Sequence, residues 1–290
     1  MGPQHAILKW IGIALGALAA AALLSVGYVY FTSQAIIDKT YPLPARRFHA
    51  AADAGAITRD EHLALVLGCA DCHGAGLTGQ LFADVPGSAI YSRNLTLLAR
   101  DFSDADFDRA IRHGVRPDGR SVLVMPSDVY SGMSDDELSA IVGYLRSLKA
   151  QGAATPEPSI GLVVRFALLV GQLKTDVAYF ADDRPSLDLG PRFAAGRHLA
   201  AIACAECHAT SLAGTPQDPI LVTPDLALVA SYERADFAKL MWTGKAAGGR
   251  EVGVMSQTAR LRFAHFSDAE IDALYDYLVA RGQKLAATPG

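Results

Sequence analysis

Cys69-Ala70-Asp71-Cys72-His73 and Cys204-Ala205-Glu206-Cys207-His208 spell one pattern, Cys-x-x-Cys-His, and together use all four cysteines of the chain. On a helical turn, positions i, i+3 and i+4 share a face. Two thiols can then bond covalently to the edge of a haem while the next imidazole reaches its iron. Other uses of these cysteines fit less well. A structural zinc site wants its Cys pairs about 12 to 20 residues apart, far less than the interval from Cys72 to Cys204. A thioredoxin-like redox pair needs neither a trailing histidine nor a second copy. Disulfides would leave both histidines unexplained.

The pentapeptides sit within a longer repeat. Around them the offset is 135, pairing Cys69 with Cys204, His73 with His208 and Gly79 with Gly214. It becomes 130 where Phe107 meets Phe237, Gly114 meets Gly244, Arg120 meets Arg250 and Met125 meets Met255. At the last helix it is 133, pairing Ser134 with Ser267 and Glu137 with Glu270. A chain of 290 residues with 51% apolar and 19% charged residues has room for two small cores. Its net charge of −4 argues against a nucleic-acid surface.

Each unit reads as three helices. The first runs from Thr58 to Cys69, or from Arg192 to Cys204, straight into the motif. A second starts near Ser103, with Asp106 as its capping partner, or near Ser231. The third opens on Ser134 with Glu137, or Ser267 with Glu270. It buries Leu138, Ile141, Val142 and Leu145, or Ile271, Leu274 and Leu278, at helical spacing. No alternating strand is expected.

Ahead of the repeat, Trp10 to Phe31 is 22 residues without a charge. As a helix it would span about 33 Å, enough for a hydrocarbon core of about 30 Å. A cleaved signal has a shorter apolar run, about 7 to 15 residues. Tyr28-Val29-Tyr30-Phe31 also suits a membrane interface better than a cleavage site. Lys9 precedes the span while Lys39, Arg46 and Arg47 follow it, so the positive charges do not favour an inside N-terminus. Gly12 and Gly16 could face a partner helix, although coincidence is the simpler reading in so Ala-rich a segment. The expected layout is an anchor at 1–34, a Pro-containing tether at 35–48, units at 49–152 and 188–290, and a helical linker at 153–187. Breaks at Thr155-Pro156-Glu157-Pro158 and Asp182-Asp183-Arg184-Pro185 bound that linker. Its apolar stretch Ile160 to Phe180 is too short and too interrupted, by Arg165 and Lys174, for a second span.

The pentapeptides resemble those of class I c-type cytochromes. That likeness implies an all-α fold of two tandem class I cytochrome c domains with one N-terminal transmembrane helix, and two covalently attached haem c groups. Cys69, Cys72, Cys204 and Cys207 would carry the thioether links, with His73 and His208 as iron ligands. A methionine opposite would raise the potential and close the site. Met125, on a loop before Pro126, and Met255, at the equivalent loop position, are the candidates. Met133 and Met241 read as core. His113 and His265 are weaker as ligands, since neither recurs in the other unit. His113 beside Arg112, and Arg120 and Arg250, are candidates to meet a propionate.

The segment Asp106 to Arg120 followed by Met125-Pro126, with Asn94-Leu95-Thr96 and the helix from Ser134 to Leu148, is similar to the cytochrome c subunits of bacterial membrane-bound alcohol and aldehyde dehydrogenases. The likeness covers roughly residues 50 to 285, although those subunits typically carry three motifs and this chain has two. It implies an electron-transfer subunit, not an enzyme in itself. The protein would be held single-pass in the bacterial inner membrane with its haem domains in the periplasm, an orientation that overrides the charge count. The donor would be a periplasmic dehydrogenase or respiratory complex; the acceptor would be a soluble cytochrome, a quinone or a terminal oxidase. A dihaem enzyme, peroxidase-like or sulfur-oxidising, and an electron-transferring linker of a supercomplex are the competing readings.

Overall fold

The computed structural model describes residues 3–42, 48–50, 57–182, 185–217 and 221–287. Leu43–Arg47 of the expected tether, and Asp183 and Arg184 of the second expected break, lie outside them. The first element, α1 (Pro3–Ile37), is a single helix of 35 residues. By length and composition it can cross a membrane, and apolar side chains such as Leu23 and Leu24 are about three-quarters exposed.

The first unit holds α2 (Ile57–Val66), α3 (Cys69–His73), α4 (Leu95–Asp101), α5 (Asp104–His113), α6 (Ser127–Tyr130) and α7 (Asp135–Ser147). Two linker helices follow, α8 (Leu162–Leu169) and α9 (Asp176–Tyr179). The second unit holds α10 (Ala194–Leu199), α11 (Ala205–His208), α12 (Arg234–Thr243), α13 (Val254–Leu261) and α14 (Asp268–Ala286). Capping boxes form where the sequence places them, at Ser103 with Asp106, Ser134 with Glu137 and Ser267 with Glu270. Every apolar position named for the third helices is buried, from Leu138 and Val142 to Ile271 and Leu278. Each such side chain contributes about 1.5–3 kcal/mol of transfer free energy.

Three local expectations need correction. A short antiparallel hairpin, β1 (Leu81–Val85) and β2 (Ser88–Tyr91), interrupts the helical unit. Pro86-Gly87 turns it, and Leu81, Phe82 and Val85 are exposed, so no alternation of burial announced it. The second helix of the second unit starts at Arg234 and not at Ser231, which ends a 3-10 turn over Leu226–Ser231. Its N-cap is Glu233, the residue that the offset of 130 sets against Ser103. The first helix does not run unbroken into the motif of unit one, because Gly68 turns left-handed between α2 and α3. In unit two Ala203 stands at that place, and the chain continues through a π-helical turn, Ala200–Cys204.

The linker binds both α1 and the first unit. Arg165 of α8 is buried; it donates to Ser33 Oγ at 3.0 Å and Gln34 Oε1 at 2.9 Å, and stacks over Tyr30 at 4.1 Å. Tyr41 N donates to Gly119 O at 2.8 Å, joining the start of the tether to the same unit.

The two units share one apolar cluster and meet in a near two-fold manner. His62 of α2 contacts Glu270 of α14 at 2.9 Å, and His198 of α10 contacts Glu137 of α7 at 2.6 Å. Glu137 and Glu270 are repeat-equivalent, so each capping glutamate takes a histidine from the other unit's first helix. This is the reciprocity of an isologous interface, built here within one chain.

The Glu137 hydrogen bond raises the His198 pKa against the opposing effect of burial, and burial opposes but does not prevent a lowered Glu137. A raised histidine contributes stability that is complete below its unfolded value and lost as pH climbs through the folded one. With His198 37% exposed, screening keeps this below about 1 kcal/mol. The melting temperature is expected to fall slightly from about pH 6 to about pH 8, more in the parent than in His198→Gln.

Candidate haem-attachment sites

The two pentapeptides close in the same way. His73 Nδ1 lies 2.8 Å from the Arg93 carbonyl oxygen, and His208 Nδ1 lies 2.8 Å from that of Pro224. A carbonyl only accepts, so the ring proton sits on Nδ1 and the Nε2 lone pair is left for a metal. Burial lowers both imidazole pKa values, keeping the rings neutral as ligation requires. The carbonyls are held by the next residues. Asn94 caps α4 by accepting from the amides of Thr96 and Leu97, and Asp225 caps the turn after it through Ala227 N.

A repeated loop braces each histidine from behind. Gly79 N donates to His73 O at 2.8 Å, and Gly214 N to His208 O at 2.9 Å. Between them Leu77 and Leu212 adopt φ of 55° and 61°, both side chains buried. A left-handed leucine costs about 1–2 kcal/mol and persists only where its surroundings over-determine it. Leu77 and Leu212 were missed in the sequence, where a lone leucine between small residues carries no signal. The offset of 135 that pairs them was the available clue.

The thiols are unpaired. Burial pushes Cys69 and Cys204 up to about 12, and it is the largest influence raising Cys72 and Cys207. A dithiol redox motif works through a depressed thiol pKa, so these pairs are ill-suited to that chemistry. Among the described residues, no group of three or more His, Cys, Asp or Glu side chains could hold a metal ion. The donor set at each motif, two neutral thiols and one neutral imidazole aimed by its backbone bond, fits covalently attached haem.

The methionines divide by burial. Met133, just before the Ser134 cap, and Met241 in α12 are buried core residues. Met125 is half-buried on an irregular loop, as read from the sequence. Met255 is half-buried too but sits in the first turn of α13, not in a loop, because helix resumes directly after Gly253. His113 is half-buried, 3.9 Å from Asp108, and His265 is exposed. Arg112 is buried against Asp108 and Asp135, and Arg120 is taken by Asp118 and by Asp38 beyond the anchor. These ion pairs leave both arginines poorly placed for a propionate. Arg250 remains exposed.

The Met125 loop has a partner that sequence spacing could not reveal. Asp176 of α9 accepts from Met125 N at 3.1 Å and from Ser127 Oγ at 3.2 Å. Burial pushes this carboxyl up to about 8. The preceding Val124 has φ 72°, a conformation seldom taken by a β-branched residue. The strained loop is thus tied down by a buried acid. Asp176→Ala is expected to cost about 1–3 kcal/mol in chemical denaturation, and Asp176→Asn, which keeps an acceptor, less.

Residues 193–282 match the family described as Cytochrome c, and residues 65–145 match that described as Cytochrome C oxidase, cbb3-type, subunit III. The chain is 26% identical over 269 residues to the fructose dehydrogenase cytochrome subunit of Gluconobacter japonicus, covering 82% of this chain and 54% of that protein. It is 30% identical over 168 residues to the gluconate 2-dehydrogenase cytochrome c subunit of Pantoea cypripedii, covering 52% and 37%. Against the cytochrome c subunit of alcohol dehydrogenase (quinone) from Gluconobacter oxydans (strain 621H), identity is 24% over 282 residues, covering 82% and 58%. The chain therefore spans about half the length of the curated relatives it matches. Each matched region contains one Cys-x-x-Cys-His pentapeptide closed by the same histidine–carbonyl bond, so the chain carries two cytochrome c domains and is similar to the cytochrome c subunits of these dehydrogenases.

Proposed function

We propose that this chain is a membrane-anchored dihaem cytochrome c, taking electrons from a dehydrogenase and passing them to the respiratory chain. The observation that carries the reading is the duplicated arrangement of free Cys pair and carbonyl-oriented histidine, one in each unit. Cys69 and Cys72 hold one haem c, and Cys204 and Cys207 the other. Haem iron supplies reversible one-electron chemistry when bound. His73 and His208, oriented by the bonds to Arg93 O and Pro224 O, would each supply a neutral imidazole ligand to the iron. Met125 and Met255, both half-buried, would supply the second ligand to each iron and so would close the sites to small molecules. The units extend over 49–152 and 188–290, with 153–187 joining them.

The anchor is α1, crossing the bacterial inner membrane once, with both units on the periplasmic side. Arg165 and the Tyr41 contact hold the first unit close to the end of the span. That placement suits delivery to a quinone or to a membrane-bound oxidase, with a soluble cytochrome as the other acceptor class. The relatives' names supply the donor class, a dehydrogenase acting on a small alcohol, sugar or sugar acid.

Met125→Ala and Met255→Ala each test the ligand assignment. Each is expected to leave both haems attached, lower the potential of one and abolish its weak methionine-to-iron absorption. An unchanged spectrum in Met125→Ala would transfer the ligand to Met133 or His113. Rapid stoichiometric carbon monoxide binding by the parent protein at one haem would favour the dihaem enzyme instead.

A further inference from the structure

Arg262 stands on the turn after α13, and its guanidinium lies between the two pentapeptides. Nε meets Asp71 Oδ2 at 2.5 Å and Nη1 meets Glu206 Oε2 at 2.5 Å. Asp71 and Glu206 occupy the same motif position, one residue before the second cysteine. The arginine is 12% exposed, its partners 27% and 28%. Burial works against its charge, and the two carboxylates outweigh burial.

The passage for this side chain is provided by the residue immediately before Cys69. A Cβ on Gly68 would fall 2.1 Å from Arg262 Nε and 2.4 Å from Cζ, and the φ of +71° already disfavours any side chain there. The two motifs are also close enough to feel each other. Asp71 of the first and Glu206 of the second meet the same guanidinium. The reciprocal His62–Glu270 and His198–Glu137 pairs hold the two units together. The corresponding stretch of the first unit, Val129-Tyr130-Ser131-Gly132, contains no arginine. One guanidinium thus serves both motifs.

We propose that Arg262 is the positioning residue that clamps both haem-attachment segments into one rigid junction and so governs electron exchange between the two haems. The inference rests on the dihaem reading given above. Because the thioether links are made by residues of these same segments, fixing the segments fixes the attached edges relative to each other. Electron tunnelling falls off steeply with separation, so a loosened junction slows exchange. The guanidinium also leaves one net negative charge beside the attachment points in place of two. Without it the ferric state gains at both sites and both potentials drop.

The test uses the full chain, with haem content measured by pyridine haemochrome and each midpoint by optical redox titration. Inter-haem equilibration is followed after flash photoreduction. Arg262→Gln is expected to lower both midpoints and slow exchange several-fold. In the triple variant Asp71→Asn/Glu206→Gln/Arg262→Gln, where no charge remains at the cluster, the midpoints should rise to or above the parent values while exchange stays slow, separating position from charge. If Arg262→Gln does not accumulate, Arg262→Lys keeps the charge without the two-pronged contact and is expected to show slow exchange at near-parent midpoints. Parent-rate exchange in a two-haem Arg262 variant overturns this inference alone. Fewer than two haems in the parent protein overturns the dihaem reading and this inference with it.

Discussion

The hydrogen bond from each motif histidine to a backbone carbonyl is the constraint from which the rest of the site follows. It settles the tautomer, fixes the ring plane and frees Nε2 on the far side. For that bond to form, Arg93 and Pro224 must present their carbonyls inward, and the capping residues Asn94 and Asp225 hold them there. The strained leucines behind the motifs are tolerated for the same reason. Their own carbonyls accept from Leu95 N and Leu226 N, tying the loop after each motif to the segment that carries the accepting carbonyl. Strain, caps and histidine orientation form one closed circuit in each unit.

A second level of organisation is the pairing of the units. Duplicated domains joined by a linker need not touch, yet here repeat-equivalent glutamates cross over to histidines of the other unit and the apolar cluster is continuous. Half-buried histidine–glutamate pairs of this kind add little energy. Their value is in register, since each fits only when the other does. Arg262 differs in being mostly buried and in having two acidic partners, so removing it would leave carboxylates without compensation in a shielded place. The linker adds a third tie, with Arg165 on α1 and Asp176 under the Met125 loop. The N-terminal helix α1, the first unit and the second unit are therefore connected by specific polar contacts at each junction.

What could be read from the sequence was what depends on spacing along the chain. The pentapeptides, the capping boxes at Ser103, Ser134 and Ser267, and the buried stripes of α7 and α14 are all local patterns, and all formed. The misses came from two sources. The expected helix start near Ser231 lies three residues early, since the helix is capped at Glu233, the position that the repeat register sets against Ser103; intrinsic preference gave way to tertiary position. The hairpin at Leu81–Tyr91 escaped because its apolar residues face outward and its pairing is held partly by Ser159, far along the chain. The contacts of Arg262 and Asp176 join residues distant in sequence, and no periodicity encodes them. Arg120 shows the converse, a repeated residue that suggested ligand binding but is engaged by Asp118 and Asp38.

The dihaem reading requires both equivalent, independently closed pentapeptides to be attachment sites. Proteolysis of the mature protein followed by mass spectrometry of the peptides spanning Cys69–His73 and Cys204–His208 tests this most directly. Both peptides are predicted to carry haem mass on paired thioether links. Recovery of either peptide with two free thiols, or with the two joined as a disulfide, would contradict it.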